Sequence, residues 1–304
     1  MQHLLLLILL PISTNNYSRA EGAPGGTPRG PPATCIFEFN NTFIENLAML
    51  PNGRLLLTAF GPGSLYVLQP EATHITAESL VNLDGSTGLS GIAALGGDNS
   101  AVVVDTIPVP DTRMMNGMAA LPNKPHVILS ADSLGGRILR VNTSTREVSV
   151  ACTDAALGQS EDNLKHPLGI NGLRILGSYL YFTNSAQGTF ARFPIDDDGN
   201  KIGNVEIMAR LESDGNISHA YDDFAFDNRG NAYVALHHLS VVKITPDGGQ
   251  TTIARNQTDL TFREPTSVLV AKDSKSIYVS TGSTTIEGKR YGGQVIRVDI
   301  SSKK

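Results

Sequence analysis

The hydrophobic residues of this chain fall into short runs, most of which follow a polar residue and lead through a tight turn into a second run. The clearest copy starts at Asn171, where an apolar strand over 171–176, a turn at Gly177 and Ser178, and a second strand over 179–184 follow one another. Other copies start at Glu45, Ser90, Asn116, Asp222 and Thr266. Short apolar runs bounded by turn residues are typical of buried β-strands. The pattern therefore predicts an all-β chain built from six copies of one unit.

The spacing of the copies predicts a six-bladed β-propeller over residues 34–304, with one blade per copy. The segment 35–39 is predicted to supply the outermost strand of the last blade and so to close the ring. The interval between the copies at 90 and 116 is only 26 residues (116 − 90), which is too short for four strands. We therefore predict a truncated second blade, either as a real feature or through a segment missing from the gene model.

The first residues carry a pattern typical of a secretory signal peptide. Leu4 to Leu10 is an uninterrupted apolar run, too short to cross a bilayer, and Ser18 and Ala20 are small residues at the positions that determine cleavage. We predict a signal peptide over 1–20, a disordered Gly/Pro-rich leader over 21–33, and an extracellular or vesicular protein. A frayed apolar tail is the alternative. Sequons predict N-glycosylation at Asn40, Asn142, Asn216 and Asn256.

Composition and charge exclude some classes of binding partner. The net charge is -5 and the chain has no run of Lys and Arg, so we expect no nucleic acid partner. No apolar stretch is long enough for a membrane span, and we expect a monomer. Cys35 and Cys152 fall on outer strands of opposite predicted blades, too far apart to form a disulfide.

Six polar residues open the predicted innermost strands, and these strands line the central channel of a propeller. We expect them to form a ring at one mouth of that channel: Glu45, Ser90, Asn116, Asn171, Asp222 and Thr266. Two carboxylates and two amides offer hard oxygen ligands that suit Ca²⁺ or Mg²⁺, and also Mn²⁺ or Zn²⁺ with water completing the shell. The alternative is that these groups tie the blade ends together by hydrogen bonds.

These residues resemble those of the SMP-30/gluconolactonase family of six-bladed propellers. The resemblance implies that Glu45, Asn116, Asn171 and Asp222 bind a divalent metal and that Asp222 also acts in lactone hydrolysis. The chain is similar in particular to a secreted fungal branch of the family. That branch includes hetero-Diels–Alderases, which join a tropolone-derived quinone methide to a terpene. The motifs that carry this similarity are the segments 44–48, 168–172, 222–225 and 264–268.

One position departs from the sugar lactonases of the family, which carry an arginine two residues before the first Asn. Here that residue is Met114, followed by Met115, while Arg113 should face the opposite side of the strand. Methionine favours an apolar, adaptable pocket. We therefore predict that Met114, Met115, Ser90 and Thr266 bind substrate. The alternative is that the methionines only fill contacts between blades.

Other candidate motifs predict no site. The run 196–200 lacks the spaced ligands of a calcium loop and is interpreted as a hairpin turn. His237 and His238 are neighbours at a strand end, where adjacent residues face opposite ways, so we predict a surface or packing role for both. No nucleophile elbow, zinc-protease motif or phosphate loop is present in the sequence.

Three hypotheses for the function follow. The first is a metal-free cyclase for a small apolar substrate, in which Asn116, Asn171 or Glu45 hydrogen-bonds a carbonyl and no nucleophile is needed. The second is a lactonase with one divalent cation, in which Asp222 or a metal-bound water attacks the lactone. The third is a non-catalytic propeller that binds a ligand or a protein.

Overall fold

The computed structural model describes residues 4–9, 33–61, 63–83, 85–86, 88–93, 102–160, 167–212, 219–237, 240–255 and 262–301. Apart from a 3-10 turn at Ala155–Leu157, the regular structure of these residues is β-strand. The strands are β1 (Leu4–Leu9), β2 (Ala33–Glu38), β3 (Phe43–Met49), β4 (Leu55–Phe60), β5 (Gly63–Leu68), β6 (Ala77–Leu83), β7 (Val102–Pro108), β8 (Met115–Leu121), β9 (Lys124–Asp132), β10 (Arg137–Asn142), β11 (Val148–Thr153), β12 (Ile170–Leu176), β13 (Tyr179–Asn184), β14 (Thr189–Pro194), β15 (Glu206–Arg210), β16 (Tyr221–Phe226), β17 (Ala232–Leu236), β18 (Ser240–Ile244), β19 (Gln250–Arg255), β20 (Pro265–Val270), β21 (Ser276–Thr281), β22 (Thr284–Ile286), β23 (Lys289–Tyr291) and β24 (Gln294–Asp299).

The strands form antiparallel propeller blades. Four blades have consecutive strands, β3–β6, β8–β11, β12–β15 and β16–β19, and we call them the β3, β8, β12 and β16 blades. The fifth, the β20 blade, has the order β20-β21-β24-β2. The strand predicted to close the ring is therefore confirmed, because β2 pairs with β24 and Cys35 lies opposite Ile296. Cys35 and Cys152 are free thiols on different blades, as predicted.

The predicted number of six blades is not confirmed, because the described residues form five four-stranded blades. At the position of the predicted second blade, residues 88–93 form no strand, and among the strands that the structure describes β7 pairs with β1 alone, in a two-stranded sheet. Leu89 packs against the β3 blade, whereas Ile107 and Val109 pack against the β8 blade. The short interval in the sequence thus leaves too few residues for a full blade. The predicted cleavage site after Ala20 lies outside the described residues.

Apolar side chains fill the space between neighbouring blades. Between the β8 and β12 blades, Leu129, Phe182 and Phe193 are fully buried in one cluster. The innermost strands β8, β12, β16, β20 and β3 contact one another in that order around the centre. No helix among the described residues has the length and apolar character needed to cross a membrane.

Every innermost strand carries an irregularity at the same place. The pairing register shifts at Ile44/Asn46, Met115/Met118, Ile170/Leu173, Tyr221/Phe224 and Pro265/Ser267. These β-bulges surround the polar residue that opens each copy of the repeat. A bulge re-aims the side chains beside it, so consecutive residues there need not alternate between two faces.

Candidate functional site

Five of the six predicted ring residues lie buried at the bulges of the innermost strands: Glu45, Asn116, Asn171, Asp222 and Thr266. The sixth, Ser90, lies in the short connecting segment between the β3 and β8 blades. Its hydroxyl donates to the carbonyl of Met115 at 2.5 Å, and its own carbonyl accepts from the Thr58 hydroxyl at 2.5 Å. Ser90 therefore holds two blades together.

Thr266 is also engaged within the protein. Its hydroxyl donates to the carbonyl of Ile44 at 2.9 Å and lies 2.9 Å from the hydroxyl of Ser280. The roles in substrate binding that the sequence suggests for Ser90 and Thr266 stay predictions. The hydroxyl groups of both residues are already hydrogen-bonded within the protein.

The hydrogen bonds around Asp222 link three blades. Thr183 Oγ1 of the β12 blade donates to the Asp222 carbonyl at 2.8 Å and accepts from the Gly172 N–H at 2.8 Å. The Asp222 carboxylate oxygen Oδ2 lies 2.7 Å from Nε2 of His237, and Nδ1 of His237 lies 3.0 Å from Oε2 of Glu264 on the β20 blade. An imidazole with a carboxylate on each nitrogen is in the arrangement expected of an imidazolium, which donates to both.

The charges of this cluster are set by competing effects. Burial lowers the pKa of His237, but the hydrogen bonds to Asp222 and Glu264 outweigh it and raise the pKa to about 10. Burial raises the pKa of Asp222, and the His237 hydrogen bond opposes that rise. Burial, followed by repulsion from Asp222, raises the pKa of Glu45 well above its usual range. Burial therefore favours the uncharged form of the Glu45 carboxyl group, while the contacts to Asp222 and Glu264 favour the protonated form of His237.

The position of His237 follows from a repeated backbone contact. In four blades, the first residue after the second strand donates its backbone N–H to a carbonyl of the same blade. That carbonyl belongs to the residue two positions before the polar ring residue. The corresponding residues of the β3 blade are Phe43 and Phe60, which face each other in the register. We call these five residue pairs the mouth pairs: Phe43 and Phe60, Met114 and Ser133, Gly169 and Ser185, Ala220 and His237, Glu264 and Gly282.

The interpretation of His237 as a surface or packing residue is wrong, because its imidazole is hydrogen-bonded to Asp222, one of the predicted ring residues. His238 lies outside the described residues. The sequence does contain a usable signal, since His237 follows its second strand as Ser133 and Ser185 follow theirs. Glu264 was also missed as a site residue, although it stands two residues before Thr266 as Met114 stands two before Asn116.

The asparagines of the ring have unused hydrogen-bonding capacity. Asn116 is only 1% exposed, yet neither its amide nitrogen nor its amide oxygen has a hydrogen-bond partner. Asn171 donates from Nδ2 to the Ser185 hydroxyl at 3.0 Å, but its Oδ1 is buried without a partner. Buried polar groups without partners are rare, because each costs the free energy of its lost hydration. They therefore mark a place where a ligand could supply the missing partners.

A second polar layer adjoins the ring and is fully satisfied. Asp223 Oδ2 accepts from Arg174 at 2.6 Å, from Asn46 at 2.7 Å and from Ser267 at 3.2 Å, while its Oδ1 accepts from the Phe224 N–H at 2.8 Å. These side chains come from the β12, β3, β20 and β16 blades. We call this cluster the floor network, because it ties four innermost strands together next to the ring.

The two methionines lie in different surroundings. Met115 is buried in an apolar cluster with Ile107, Val109 and Met118, which matches the alternative that it fills a blade contact. Met114 is partly exposed in a mouth pair. Arg113 is exposed and donates to the Leu134 carbonyl at 2.9 Å.

The remaining predicted features lie away from the ring. The run 196–200 is a hairpin turn, in which Asp196 Oδ1 accepts from the N–H of Asp198 at 3.0 Å and of Asn200 at 2.8 Å. Of the predicted glycosylation sites, Asn40 is exposed and Asn142 is half-buried. Asn216 and Asn256 lie outside the described residues.

Replacing His237 with glutamine should remove a pH dependence of stability. The raised pKa of His237 means that its contribution is complete below about pH 6.5 and is lost as the pH rises towards about 10. Because 23% of the side chain is exposed, water weakens the pair. We expect the wild-type free energy of unfolding to fall by about 2 kcal/mol more than that of His237→Gln across this range.

Urea denaturation at a series of pH values measures the difference. The exposed His126 offers a control, since His126→Gln should follow the wild-type curve. Parallel curves for wild type and His237→Gln would contradict the imidazolium assignment.

The ring can be tested for its fit to a divalent cation. The unpaired oxygens of Asn116 and Asn171, with the carboxyl groups of Glu45 and Asp222, form a hard oxygen set that fits such an ion. Within the described part of the chain, no group of three or more His, Cys, Asp or Glu side chains could hold a metal. A cation in the ring would therefore depend on the two asparagine oxygens.

Comparison with known proteins agrees with this geometry. Residues 150–283 match the family model described as the SMP-30/Gluconolactonase/LRE-like region. A relative from Phoma sp, named "Putative hetero-Diels-Alderase", is 25% identical over an alignment of 304 positions, which covers 81% of this chain and 85% of the relative. The calcium-binding protein regucalcin of Agrobacterium tumefaciens has a TM-score of 0.60 and 16% identity, over 89% of this chain and 93% of that chain.

The structure of U3-55K gives a TM-score of 0.60 at 12% identity, over 89% of this chain and 100% of that chain. At these identities the two structural matches show a shared fold alone. The sequence match is more specific, because it falls on residues 150–283, which include Asn171, Asp222 and His237. Residues 150–283 of this chain are therefore similar to the SMP-30/gluconolactonase-like family, in agreement with the sequence resemblance.

Proposed function

We propose that this protein is an enzyme that catalyses a hetero-Diels–Alder cyclisation, joining a tropolone-type quinone methide to the alkene of a terpene. The observation that carries the proposal is Asn116, a buried residue whose amide nitrogen and oxygen both lack partners. The name of the 25% identical relative supports the same reaction class.

The ring offers hydrogen bonds that match an oxygenated ring with a carbonyl beside a hydroxyl. Asn116 Nδ2 can donate to a carbonyl oxygen, and so can the Glu45 carboxyl group in its protonated form, which burial favours. Asn171 Oδ1 has no hydrogen-bond partner and can accept from a neighbouring hydroxyl. The bond from Asn171 Nδ2 to Ser185 fixes the orientation of the amide. A tropolone-type molecule carries both groups side by side.

These donors would act on the transition state. As the heterodiene reacts with an electron-rich alkene, its carbonyl oxygen gains negative charge, and fixed donors in a buried site stabilise that charge. One C–O bond and one C–C bond form while two π bonds are consumed and a third shifts. No atom leaves and no proton is transferred, so the chain needs no nucleophile. Holding both partners in a reactive pose lowers the barrier further.

A stereochemical assay tests the proposal. Purified protein is incubated with a cyclic terpene alkene and a hydroxymethyl-tropolone, which loses one molecule of water in solution to give the quinone methide before the cycloaddition. Products are resolved by chiral chromatography. We expect product faster than in buffer, with one stereoisomer in excess. Glu45→Gln keeps the shape and a hydrogen-bond donor, so the rate should fall by only about tenfold. Racemic product at the buffer rate would overturn the proposal.

A divalent-metal lactonase is the second candidate, favoured by the unpaired oxygens of Asn116 and Asn171. Glu45, Asn116, Asn171 and Asp222 would hold the cation, which supplies Lewis acidity to a lactone carbonyl when bound. The same variant separates the candidates, because Glu45→Gln removes a charged ligand and should lower lactone hydrolysis by more than about a hundredfold. Binding of either substrate class without turnover would leave a non-catalytic propeller.

A further inference from the structure

The mouth pairs occupy equivalent backbone positions, but their side chains differ sharply between blades. On the β16 and β20 blades they present His237 and Glu264, which are bonded to each other and carry charge. On the β3 blade they present two phenylalanines, Phe43 and Phe60. We call the first the charged sector and the second the aromatic sector.

The backbone around the aromatic sector leaves room for its two phenylalanine rings. The rings of Phe43 and Phe60 are tilted by 41° with centroids 5.5 Å apart, and both residues are partly exposed. A glycine makes room for each ring. A Cβ added at Gly282 would lie 2.4 Å from Phe43 Cε2, and a Cβ at Gly88 would lie 1.8 Å from Phe60 Cδ1. Larger residues at Gly88 or Gly282 would displace the rings, so the backbone on both sides is shaped around them.

The two sectors are neighbours around the mouth. Glu264 and Gly282 form one mouth pair, and Phe43 lies against Gly282. The mouth therefore changes from charged to aromatic within one blade boundary. A ligand of uniform polarity cannot match both sectors, because burying a charged group against hydrocarbon costs free energy and hydrocarbon gains nothing from charge.

We infer that the aromatic sector is the binding site for a neutral hydrocarbon partner, while the ring asparagines and Glu45 hold the oxygenated partner. This inference rests on the proposed function and adds to it by assigning each of the two reactants to its own part of the site. The partly exposed faces of Phe43 and Phe60 suit an alkene, since they provide apolar area without demanding hydrogen bonds.

Equilibrium binding tests the assignment without requiring turnover. Limonene is the hydrocarbon probe and tropolone is the oxygenated probe, each titrated into the full chain and followed by ligand-observed NMR. We expect Phe43→Ala and Phe60→Ala to weaken limonene binding about tenfold and to change tropolone binding by less than about twofold. Phe226→Ala is the matched control, because Phe226 is also partly exposed and pairs with an aromatic ring, that of Tyr181, at 4.8 Å.

The outcomes are separable from those of the cyclisation assay. Selective loss of limonene binding in both mouth variants supports the inference, even if no cyclisation is found. Equal loss of both probes, or the same loss in Phe226→Ala, overturns it, and so does a wild-type protein that binds no limonene. If an alanine variant fails to fold, Phe43→Leu and Phe60→Leu keep apolar volume but remove the ring, and a smaller selective loss is then expected.

Discussion

Replacing Asn116 with leucine should lower the rate of the proposed cyclisation about a hundredfold and leave the protein at least as stable as the wild type. Removing one fixed donor to a developing oxyanion costs on the order of a hundredfold in rate in other enzymes. The stability should not fall, because the Asn116 amide makes no hydrogen bond that leucine would lose. Leucine also removes the cost of burying an unpaired polar group. Initial rates and urea denaturation of the same preparation measure both effects.

The matched control is another buried asparagine in a neighbouring layer. Asn46 is also only 1% exposed, but it donates to Asp223 at 2.7 Å and accepts from the Leu47 N–H at 2.9 Å. Its Oδ1 also lies 3.0 Å from the Ser267 hydroxyl, whose single proton it shares with Asp223. Asn46→Leu should therefore lower the free energy of unfolding by about 3 kcal/mol. If Asn116→Leu destabilised the protein as much as Asn46→Leu does, Asn116 would be a structural residue and not a ligand-binding one.

A large loss of stability is expected from Asp223→Asn. The carboxylate accepts from Arg174, Asn46 and Ser267, and the variant would leave the arginine charge without its partner and set two amide donors against each other. Breaking a buried ion pair costs about 3–5 kcal/mol. Because 22% of the Arg174 side chain is exposed, we expect a value near the lower end, about 3 kcal/mol.

The control for this variant is an exposed aspartate with a single ion-pair partner. Asp198 pairs with Lys124 at the surface and its side chain is 63% exposed. Asp198→Asn should cost less than about 1 kcal/mol. Chemical denaturation compares the two variants, and similar small losses in both would mean that the floor network does not hold the innermost strands together.

The innermost strands could be predicted from the sequence because one physical rule fixes each of them. A polar residue at the channel, followed by apolar residues that face two neighbouring blades, recurs at Glu45, Asn116, Asn171, Asp222 and Thr266. The starts of β3, β8, β12, β16 and β20 lie within two residues of these positions. The rule does not predict how many blades are complete, because it concerns the innermost strand alone. Ser90 satisfies the rule, but no strand begins there.

The pattern of apolar and polar residues does not predict the Asp222–His237–Glu264 contact, for two physical reasons. The rule that neighbouring strand residues face opposite ways fails beside a bulge and beyond a strand end, and His237 lies just after β17. The contact also joins residues 15 and 27 positions apart across a blade boundary. Aligning the copies on their backbone hydrogen bonds, instead of on their apolar runs, brings His237 and Glu264 to the mouth.

The closure of the last blade by β2 has a consequence for how the protein folds. Gln294 on β24 donates to Cys35 on β2, a contact between residues 259 positions apart. No such contact can form on the ribosome until β24 has been synthesised, and contacts between distant residues slow folding. Earlier blades can assemble as they emerge, but β2 stays without a partner until β24 arrives. During that interval β2 is a free strand edge, so aggregation of newly made chains should depend on how soon β24 reaches it.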